Sequence, residues 1–177
     1  MFRLETERLI IRPWRDDDRP GFLAIMRHPE VTRFVHGGIP YTDADADEFL
    51  ARHTRQVAQH GLCMGATLDK TSGRLLGIAG AQPLGDDIEI GWIFARDTWG
   101  RGYATEAGAA AMKHVLDTLG RPRVIAIIDP ENLPSKRVAA RLGMAYEGLR
   151  TGAQLGHRKP EIVVDLYVRR AGPPTGP

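Results

Sequence analysis

A glycine-containing segment between a predicted strand and a predicted helix carries the first chemical signal in this chain. The segment runs from Asp97 to Glu106 and contains Gly100 and Gly102. Two glycines beside a helix N-terminus leave backbone N–H groups unpaired, add the positive end of the helix dipole and let phosphate oxygens approach the chain. The pattern favours binding of a pyrophosphate, although glycines there also serve as plain turns. It is neither a P-loop nor a dinucleotide fingerprint, because no Gly-Lys-Ser/Thr follows and a third glycine is missing.

Two further groups of polar side chains could contribute chemistry. Glu89 interrupts an apolar strand pattern, and because side chains alternate between sheet faces it either faces solvent or points into a cleft. In a cleft, its carboxylate would be suited to general-base catalysis. Asn132 and Ser135 lie at the start of a short predicted helix, where both residue types are also favoured simply as caps. Structural and functional interpretations stay open for all three.

The histidines and the single cysteine predict no metal site. The histidines show no tight metal-ligand spacing and are His28, His36, His53, His60, His114 and His157. His53 and His60 fall on one predicted helix, and we interpret both as solvated positions. Cys63 lies in a predicted core strand with no activating base nearby in sequence, so we interpret it as a small buried hydrophobe and not as a covalent nucleophile.

The composition predicts a globular domain. The chain has 177 residues, of which 42% are apolar, and we expect one domain over residues 1–170 and a disordered tail over residues 171–177. Its 24 basic residues nearly balance its 22 acidic residues, without a long run of either sign, which disfavours a dedicated nucleic-acid binder. Because no stretch approaches the ~20 apolar residues of a membrane span and the N-terminus lacks a signal-peptide core, we predict a cytoplasmic protein without a membrane partner.

The predicted elements would place the glycine segment and Glu89 on one sheet. Strand patterns cover residues 7–12, 62–68, 75–81, 88–94, 123–128, 145–149 and 161–168. Helical patterns cover residues 16–28, 43–60, 104–119 and 134–142. The order βααβββαβαββ predicts an α/β or α+β layer fold with one mixed sheet. Gly108 would weaken its helix by roughly 1 kcal/mol relative to alanine, so it favours close packing of that helix on the sheet.

Several motifs in one order resemble the GNAT superfamily of N-acetyltransferases. They are Trp-Gly-Arg-Gly-Tyr-Ala-Thr-Glu-Ala at residues 99–107, Asn-Leu-Pro-Ser at residues 132–135 and Leu-Gly-Met at residues 142–144. The opening segment, residues 4–13, is similar to ribosomal-protein N-terminal acetyltransferases of the RimJ/RimL kind. The resemblance covers roughly residues 3–169. It implies a mixed, mostly antiparallel central sheet that is splayed between two parallel strands and flanked by helices.

The resemblance implies that acetyl-CoA is the co-substrate and binds at this splay. The family pattern Gln/Arg-x-x-Gly-x-Gly/Ala overlays residues 99–104, where Gly102 and Ala104 match and Trp99 departs from it. Backbone groups at the end of the preceding strand would contact the pantetheine, and Asn132 and Ser135 would lie beside the thioester. The implied cofactor-binding residues are Trp92, Ile93, Phe94, Trp99, Gly100, Arg101, Gly102, Tyr103, Ala104, Thr105, Asn132 and Ser135.

The resemblance also implies direct acetyl transfer to a primary amine, with Glu89 as the catalytic base acting through water. Some relatives place a tyrosine general acid where this sequence has Ala139. Ser135, a water or no specific group would then return a proton to the thiolate, which is a good leaving group. His36 and Tyr41 lie in the loop where the family admits its acceptor, which gives both side chains an interpretation as acceptor contacts.

The identity of the acceptor stays open in the sequence. A protein N-terminal amine and a small-molecule amine both fit. An antibiotic or polyamine acetyltransferase would need an acidic cleft, for which Asp43, Asp45, Asp47 and Glu48 are available, although surface solvation explains such clusters as well. A non-catalytic acyl-CoA-binding regulatory domain would keep the glycines and lack a working base. A homodimer is expected from the resemblance alone.

Overall fold

The computed structural model describes residues 2–172, so most of the predicted tail lies outside the described residues. The strands are β1 Leu4–Glu5, β2 Leu9–Arg12, β3 Met64–Asp69, β4 Leu75–Leu84, β5 Asp87–Phe94, β6 Arg123–Ile128, β7 Ala145–Thr151 and β8 Val163–Arg170. The helices are α1 Arg19–Met26, α2 Pro29–Thr32, α3 Asp43–His60, α4 Tyr103–Lys113, α5 Leu133–Arg141 and α6 Gly152–Leu155.

The strands form one sheet in the order β1-β2-β3-β4-β5-β6-β8-β7. Every neighbouring pair is antiparallel except β5 and β6. That parallel pair is joined only between Glu89 and Ile125, whereas β4 and β5 pair along the whole length of β5. The sheet therefore opens between β5 and β6 beyond Glu89. The mixed, mostly antiparallel fold with its splay between two parallel strands is confirmed.

Helices cover the two faces of the sheet with separate apolar clusters. On one face, α4 packs on β4 and β5 and α5 packs on β6, and Ala107, Ala111 and Val138 belong to the cluster on this face. On the other, Phe22 of α1 and Phe49 of α3 belong to a second cluster that reaches the sheet. The part of the sheet that opens between β5 and β6 therefore lies between two layers of helices.

Close packing explains the glycine inside α4. A Cβ atom added to Gly108 would lie 2.8 Å from Leu142 Cδ1 and 3.2 Å from Trp92 Cε3. Both distances are shorter than ordinary van der Waals contact between carbon atoms. The helix lies close to Leu142 and Trp92, so a side chain at position 108 would require these neighbours to shift, which agrees with the close packing predicted from the sequence.

A capping box at Thr42 begins helix α3. Thr42 Oγ1 accepts the backbone N–H of Asp45 at 3.2 Å, and Asp45 Oδ2 accepts the N–H of Thr42 at 2.8 Å. This reciprocal pair satisfies two amides that the helix itself leaves unpaired. The helix ends at Gly61 in the left-handed conformation, with φ +66°. Within residues 2–172, no helix is long and apolar enough to cross a bilayer.

Some elements differ from the predicted order. The helix predicted over residues 104–119 is α-helical only to Lys113 and continues as a π-helical turn over His114–Thr118. The elements β1, α2 and α6 were not predicted, because two to four residues are too few to show a period. Pairing with β2 makes Leu4–Glu5 a strand, and such pairing depends on the tertiary fold.

Candidate active site

A cleft of about 180 Å³ opens where β5 and β6 diverge. Its lining comes from the loop after α2, from α3, from strands β3 to β6 and from the start of α5. The lining residues are Phe34, Val35, Phe49, Arg52, His53, Met64, Ile78, Gln82, Glu89, Ile90, Gly91, Trp92, Ile93, Ala126, Ile127, Ile128, Asp129, Asn132 and Ser135. The cleft therefore brings together residues from both halves of the chain.

Glu89 points into this cleft, at the residue pair where the two parallel strands separate. Only 9% of the residue is exposed, and its Oε2 accepts a hydrogen bond from Gln82 Nε2 at 2.8 Å. Burial raises the pKa of Glu89 to about 7, against the opposing effects of the Gln82 hydrogen bond and the charge of Arg52. The solvent-facing interpretation of Glu89 is therefore excluded, and its carboxylate titrates near neutral pH.

Asn132 and Ser135 meet at the N-terminus of α5 on the opposite wall of the cleft. Asn132 Oδ1 accepts the backbone N–H of Ser135 at 3.1 Å, which makes Asn132 the N-cap of the helix. Both residues also line the cleft. The two interpretations from the sequence are therefore compatible. Ala139, one turn further along α5, is completely buried in the core.

The glycine segment enters α4 through two left-handed residues. Gly100 has φ +77° and Gly102 has φ +80°, a region in which only glycine is free of strain. Gly102 is the N-cap of α4, and no side chain caps the first-turn amides. A Cβ at Gly100 would meet nothing within 4 Å. Uncapped amides on an open surface fit the phosphates of a CoA-type molecule.

Arg8 contributes to this segment and was missed by the sequence reasoning. Its Nη1 donates to the carbonyl of Arg101 at 3.0 Å and its Nε donates to Glu106 at 2.7 Å. Its guanidinium also lies 4.5 Å from the ring centroid of Tyr103. Arg8 and Arg101 are 93 residues apart in the chain, so no local spacing could indicate the contact. The arginine, which is ion-paired with Glu106, ties the start of β2 to the glycine segment.

Trp99 has a structural role at the place where the family pattern has a polar residue. Its Nε1 donates to the carbonyl of Phe94 at 2.8 Å, which ties the glycine segment to the end of β5. The Phe94 ring stacks on Tyr103 with centroids 6.1 Å apart. Trp92 and Ile93 line the cleft, whereas Phe94 does not. The carbonyl of Phe94, implied as a pantetheine contact, already accepts an internal hydrogen bond.

The prediction that His53 is solvated is wrong. The residue is 1% exposed, its ring packs 4.2 Å from that of Phe49, and burial lowers its pKa to about 3. Phe49 and His53 are four residues apart and share the buried face of α3, whereas Thr54 is exposed. Continuing the buried stripe from Ala46 through Phe49 at helical spacing would have found it. His60 is exposed, as predicted.

Three other side chains considered in the sequence analysis, Cys63, His36 and Tyr41, do not line the cleft. Cys63 is completely buried, which raises the pKa of its thiol to about 12 and agrees with its interpretation as a hydrophobe. His36 Nδ1 lies 3.0 Å from the carbonyl oxygen of Ile39, and Tyr41 belongs to the core cluster around α1 and α3. From the same loop, Phe34 and Val35 reach the cleft.

The acidic cluster near the start of α3 is paired with arginines. Asp43 lies 2.6 Å from Arg27 and 3.1 Å from Arg19, and Arg19 also lies 2.7 Å from Asp47. None of these carboxylates lines the cleft. The cluster therefore gives the cleft no acidic lining. In the part of the chain that the structure describes, no group of three His, Cys, Asp or Glu side chains is arranged to hold a metal ion.

Comparison with known proteins agrees with this geometry. The model of the acetyltransferase (GNAT) domain matches residues 8–145. An uncharacterised N-acetyltransferase, YnaD of Bacillus subtilis, is 28% identical over 146 residues, which cover 82% of this chain and 84% of that relative. An acetyltransferase structure from Agrobacterium tumefaciens has a TM-score of 0.81 at 27% identity, covering 96% of this chain and 95% of its own.

A structure of RimL, the ribosomal L7/L12 α-N-protein acetyltransferase, in complex with coenzyme A has a TM-score of 0.77 at 15% identity. The two proteins are covered to 96% and 98%, so they share the whole fold. At this identity the likeness concerns the fold alone. The family model, the N-acetyltransferase relatives and the open parallel strand pair agree with one another, and the chain belongs to the GNAT family of acetyl-CoA-dependent N-acyltransferases.

Proposed function

We propose that this protein transfers the acetyl group of acetyl-CoA directly to a primary amine, with Glu89 as general base acting through a water molecule. The observation that supports this most strongly is the position of Glu89, buried in the cleft at the point where β5 and β6 separate. With a pKa of about 7, the carboxylate is a base whose strength is matched to neutral pH. An amine must lose a proton before or during attack, and Glu89 is placed to take it.

Both ends of acetyl-CoA have matching residues in this chain. Backbone amides of Gly100, Arg101, Gly102 and the first turn of α4, Tyr103 to Thr105, which no side chain caps, would bind the phosphates. Trp92 and Ile93 on the open edge of β5, with Asn132 and Ser135 opposite, would hold the pantetheine arm. Bound there, acetyl-CoA supplies an acyl group on a good leaving group.

The residues of the chain contribute positioning and proton transfer. Gln82 fixes one oxygen of Glu89 through its 2.8 Å hydrogen bond, which leaves the other oxygen for water. Holding acceptor and thioester together in one cleft supplies much of the rate by orientation. The unpaired edge of β5 at Trp92 and Ile93 offers main-chain donors for the carbonyl oxygen. Ser135, which lines the cleft at the start of α5, or a water would return a proton to the departing thiolate.

The charges around the cleft favour acceptors with one positive charge over polycationic acceptors. A polyamine or a polycationic antibiotic would need an acidic cleft, but the acidic cluster at α3 is paired with Arg19 and Arg27 and lies outside the lining. Glu89 is partly protonated at neutral pH, and Arg52 adds positive charge to the same wall. A protein N-terminus or a small amine carrying one positive charge fits this arrangement better.

The test is an acceptor panel with full-length protein and acetyl-CoA. The panel contains peptides with free N-termini, small primary amines, amino acids and polyamines. Release of free thiol and the mass of the acetylated product are followed together, and binding of acetyl-CoA is measured by calorimetry. We expect saturable binding with thiol release on at least one primary amine. Saturable binding without release on any acceptor would overturn the proposal in favour of an acyl-CoA-binding module.

A further inference from the structure

The acceptor side of the cleft contains a guanidinium without an anionic partner. Arg52 lies on α3, lines the cleft, and packs its guanidinium 5.2 Å from the ring centroid of Phe49. Among residues 2–172, no carboxylate forms an ion pair with it. By contrast, Arg12 and Arg19 both pair directly with carboxylates. Arg52 is half-buried, so part of its charge is removed from water without a carboxylate in direct contact, and an anion in the cleft would stabilise it.

His53 does not satisfy this guanidinium. Its Nε2 lies 3.2 Å from Arg52 Nη2, and its Nδ1 accepts the backbone N–H of Met64 at 3.3 Å. A neutral imidazole accepts at one nitrogen and carries its hydrogen on the other. Because Nδ1 is the acceptor, Nε2 carries the hydrogen and faces another donor. Arg52 therefore keeps its hydrogen-bonding capacity for something in the cleft.

A second arginine increases the positive charge at this end. Arg158, in the loop between α6 and β8, lies 3.6 Å from Glu48 at the exposed rim of α3. Burial and then the charge of Arg158 lower the pKa of Arg52, which is still protonated at neutral pH. Glu89 lines the same cleft and attracts Arg52. The acceptor end thus offers one carboxylate and one unpaired guanidinium.

We propose that the acceptor amine bears a carboxylate, that Arg52 binds this carboxylate, and that the substrate class is therefore free amino acids or closely similar small amino acids. The inference rests on the proposed function, because it assigns the acceptor of the same site. The ammonium group is drawn to Glu89, and the planar fork of the guanidinium matches a carboxylate in two parallel hydrogen bonds. The cleft, at about 180 Å³, is below the roughly 300–1,000 Å³ of drug-sized pockets, which suits a small acceptor.

The first experiment compares matched acceptors on the full-length wild-type protein. Each L-amino acid is paired with its own carboxamide, and thiol release from acetyl-CoA gives kcat/KM for both. A desolvated carboxylate bound to a guanidinium predicts that the acids are preferred about 10- to 100-fold. A peptide with neutral side chains and a free N-terminus is included as a third acceptor.

The second experiment removes the guanidinium. Arg52→Met keeps an apolar stem and is expected to abolish the preference, because KM rises more for each acid than for its carboxamide until the two have the same kcat/KM. Since the charge of Arg52 also lowers the pKa of Glu89, the result is the ratio of acid to carboxamide within the variant. Arg52→Lys keeps the charge without the fork and should restore part of the preference. Arg55→Met, on an exposed position of the same helix, is the matched control and should behave like the wild type.

The outcomes separate this inference from the proposed function. Equal rates on acids and carboxamides in the wild type, or a clearly better rate on the neutral peptide, would overturn it while leaving the acetyltransferase intact. If Arg52 only adjusts Glu89, Arg52→Met shifts the pH profile equally for every acceptor, and the inference fails. If the Arg52 variants do not fold, the comparison of acceptors on the wild type still decides. No acetylation of any amine would overturn both proposals.

Discussion

The glycine segment before α4 and the acceptor side of the cleft differ in the groups that they present. The glycine segment presents main-chain amides held by left-handed glycines, with no side-chain cap. The acceptor side presents side chains that are buried or half-buried, namely Glu89, Arg52 and His53. Burial raises the pKa of Glu89 and lowers the pKa values of His53 and Arg52, and Arg52 has no carboxylate in direct contact. A main-chain site suits a ligand that is always the same, whereas a side-chain site can change its ligand through a few substitutions.

The largest effect is expected from replacing the carboxylate on the acceptor side. Glu89→Gln keeps the shape and the hydrogen bond partner but cannot accept a proton at neutral pH, so kcat should fall about 10²–10⁴-fold. Binding of acetyl-CoA should be unchanged, because the phosphates lie at the other end. Thiol release and calorimetry measure the two quantities. Glu147→Gln, a carboxylate outside the cleft lining, is the control. An intact kcat in Glu89→Gln would remove the base assignment.

The same substitution should stabilise the fold at high pH. Burial raises the pKa of Glu89 from 4.5 to about 7, so the wild type loses folding free energy as the pH rises from about 4.5 to about 7. The glutamine variant has no such dependence, and its advantage over the wild type should grow with pH to at most roughly 3 kcal/mol. Urea unfolding at pH 5 and at pH 8 measures this difference. An advantage that is equal at both pH values would contradict a buried, titrating carboxylate.

A smaller effect is expected at the main-chain end. Gly102→Ala puts a Cβ on a residue at φ +80°, which costs about 1–2 kcal/mol or distorts the amides. If the backbone rotates to relieve this strain and displaces the phosphate-binding amides at a comparable cost to binding, affinity for acetyl-CoA falls about 5- to 30-fold, with the acceptor preference unchanged. Gly73→Ala is the matched control, since it has φ +72° and no atom within 4 Å of its added Cβ. Equal losses of affinity in both variants would mean that the glycine segment has only a turn function.

The smallest effect is expected at Asn132 and Ser135, at the start of α5. Ser135→Ala should slow turnover less than about tenfold, because the thiolate leaves readily without a dedicated acid. Asn132→Ala should instead destabilise the fold by about 1 kcal/mol through loss of the α5 cap. Rates and unfolding curves of both variants separate the effects. If Ser135→Ala slows turnover by about two orders of magnitude, as removal of a general acid does, while acetyl-CoA still binds, Ser135 is a required proton donor.

The same contrast explains what could be predicted from the sequence. The glycine segment is contiguous, and left-handed positions favour glycine, so Gly100 and Gly102 indicated the special backbone that the structure shows there, while phosphate binding at this segment stays a prediction. The alternation around Glu89 left two faces open, and only the pairing of Gln82 with Glu89 and the cover by α3 decided between them. Arg8 and Arg52 reach their sites through tertiary packing across strands and helices that are distant in sequence.

For the fold as well, features with a contiguous sequence signal were predicted, and features that depend on tertiary contacts were not. The ends of α3 were predicted correctly because its helical period extends over 18 residues. Those of β6 were predicted correctly because its apolar run, residues 123–128, stops at Asp129-Pro130. The short α2 and α6 and the π-helical end of α4 depend on local hydrogen bonds that no period reveals. His53 was misplaced because a histidine on a helix suggests solvent, whereas the neighbouring Phe49 and the amide of Met64 provide it with a buried environment.

We propose Glu89, at the separation of β5 and β6, as the base for acetyl transfer. The most direct test is the pH dependence of kcat at saturating acetyl-CoA, measured on an acceptor whose own amine titrates well above pH 8. We predict that kcat for the wild type rises with pH through an inflection close to pH 7 and that this inflection is absent in Glu89→Gln. The same inflection in both proteins would contradict the claim.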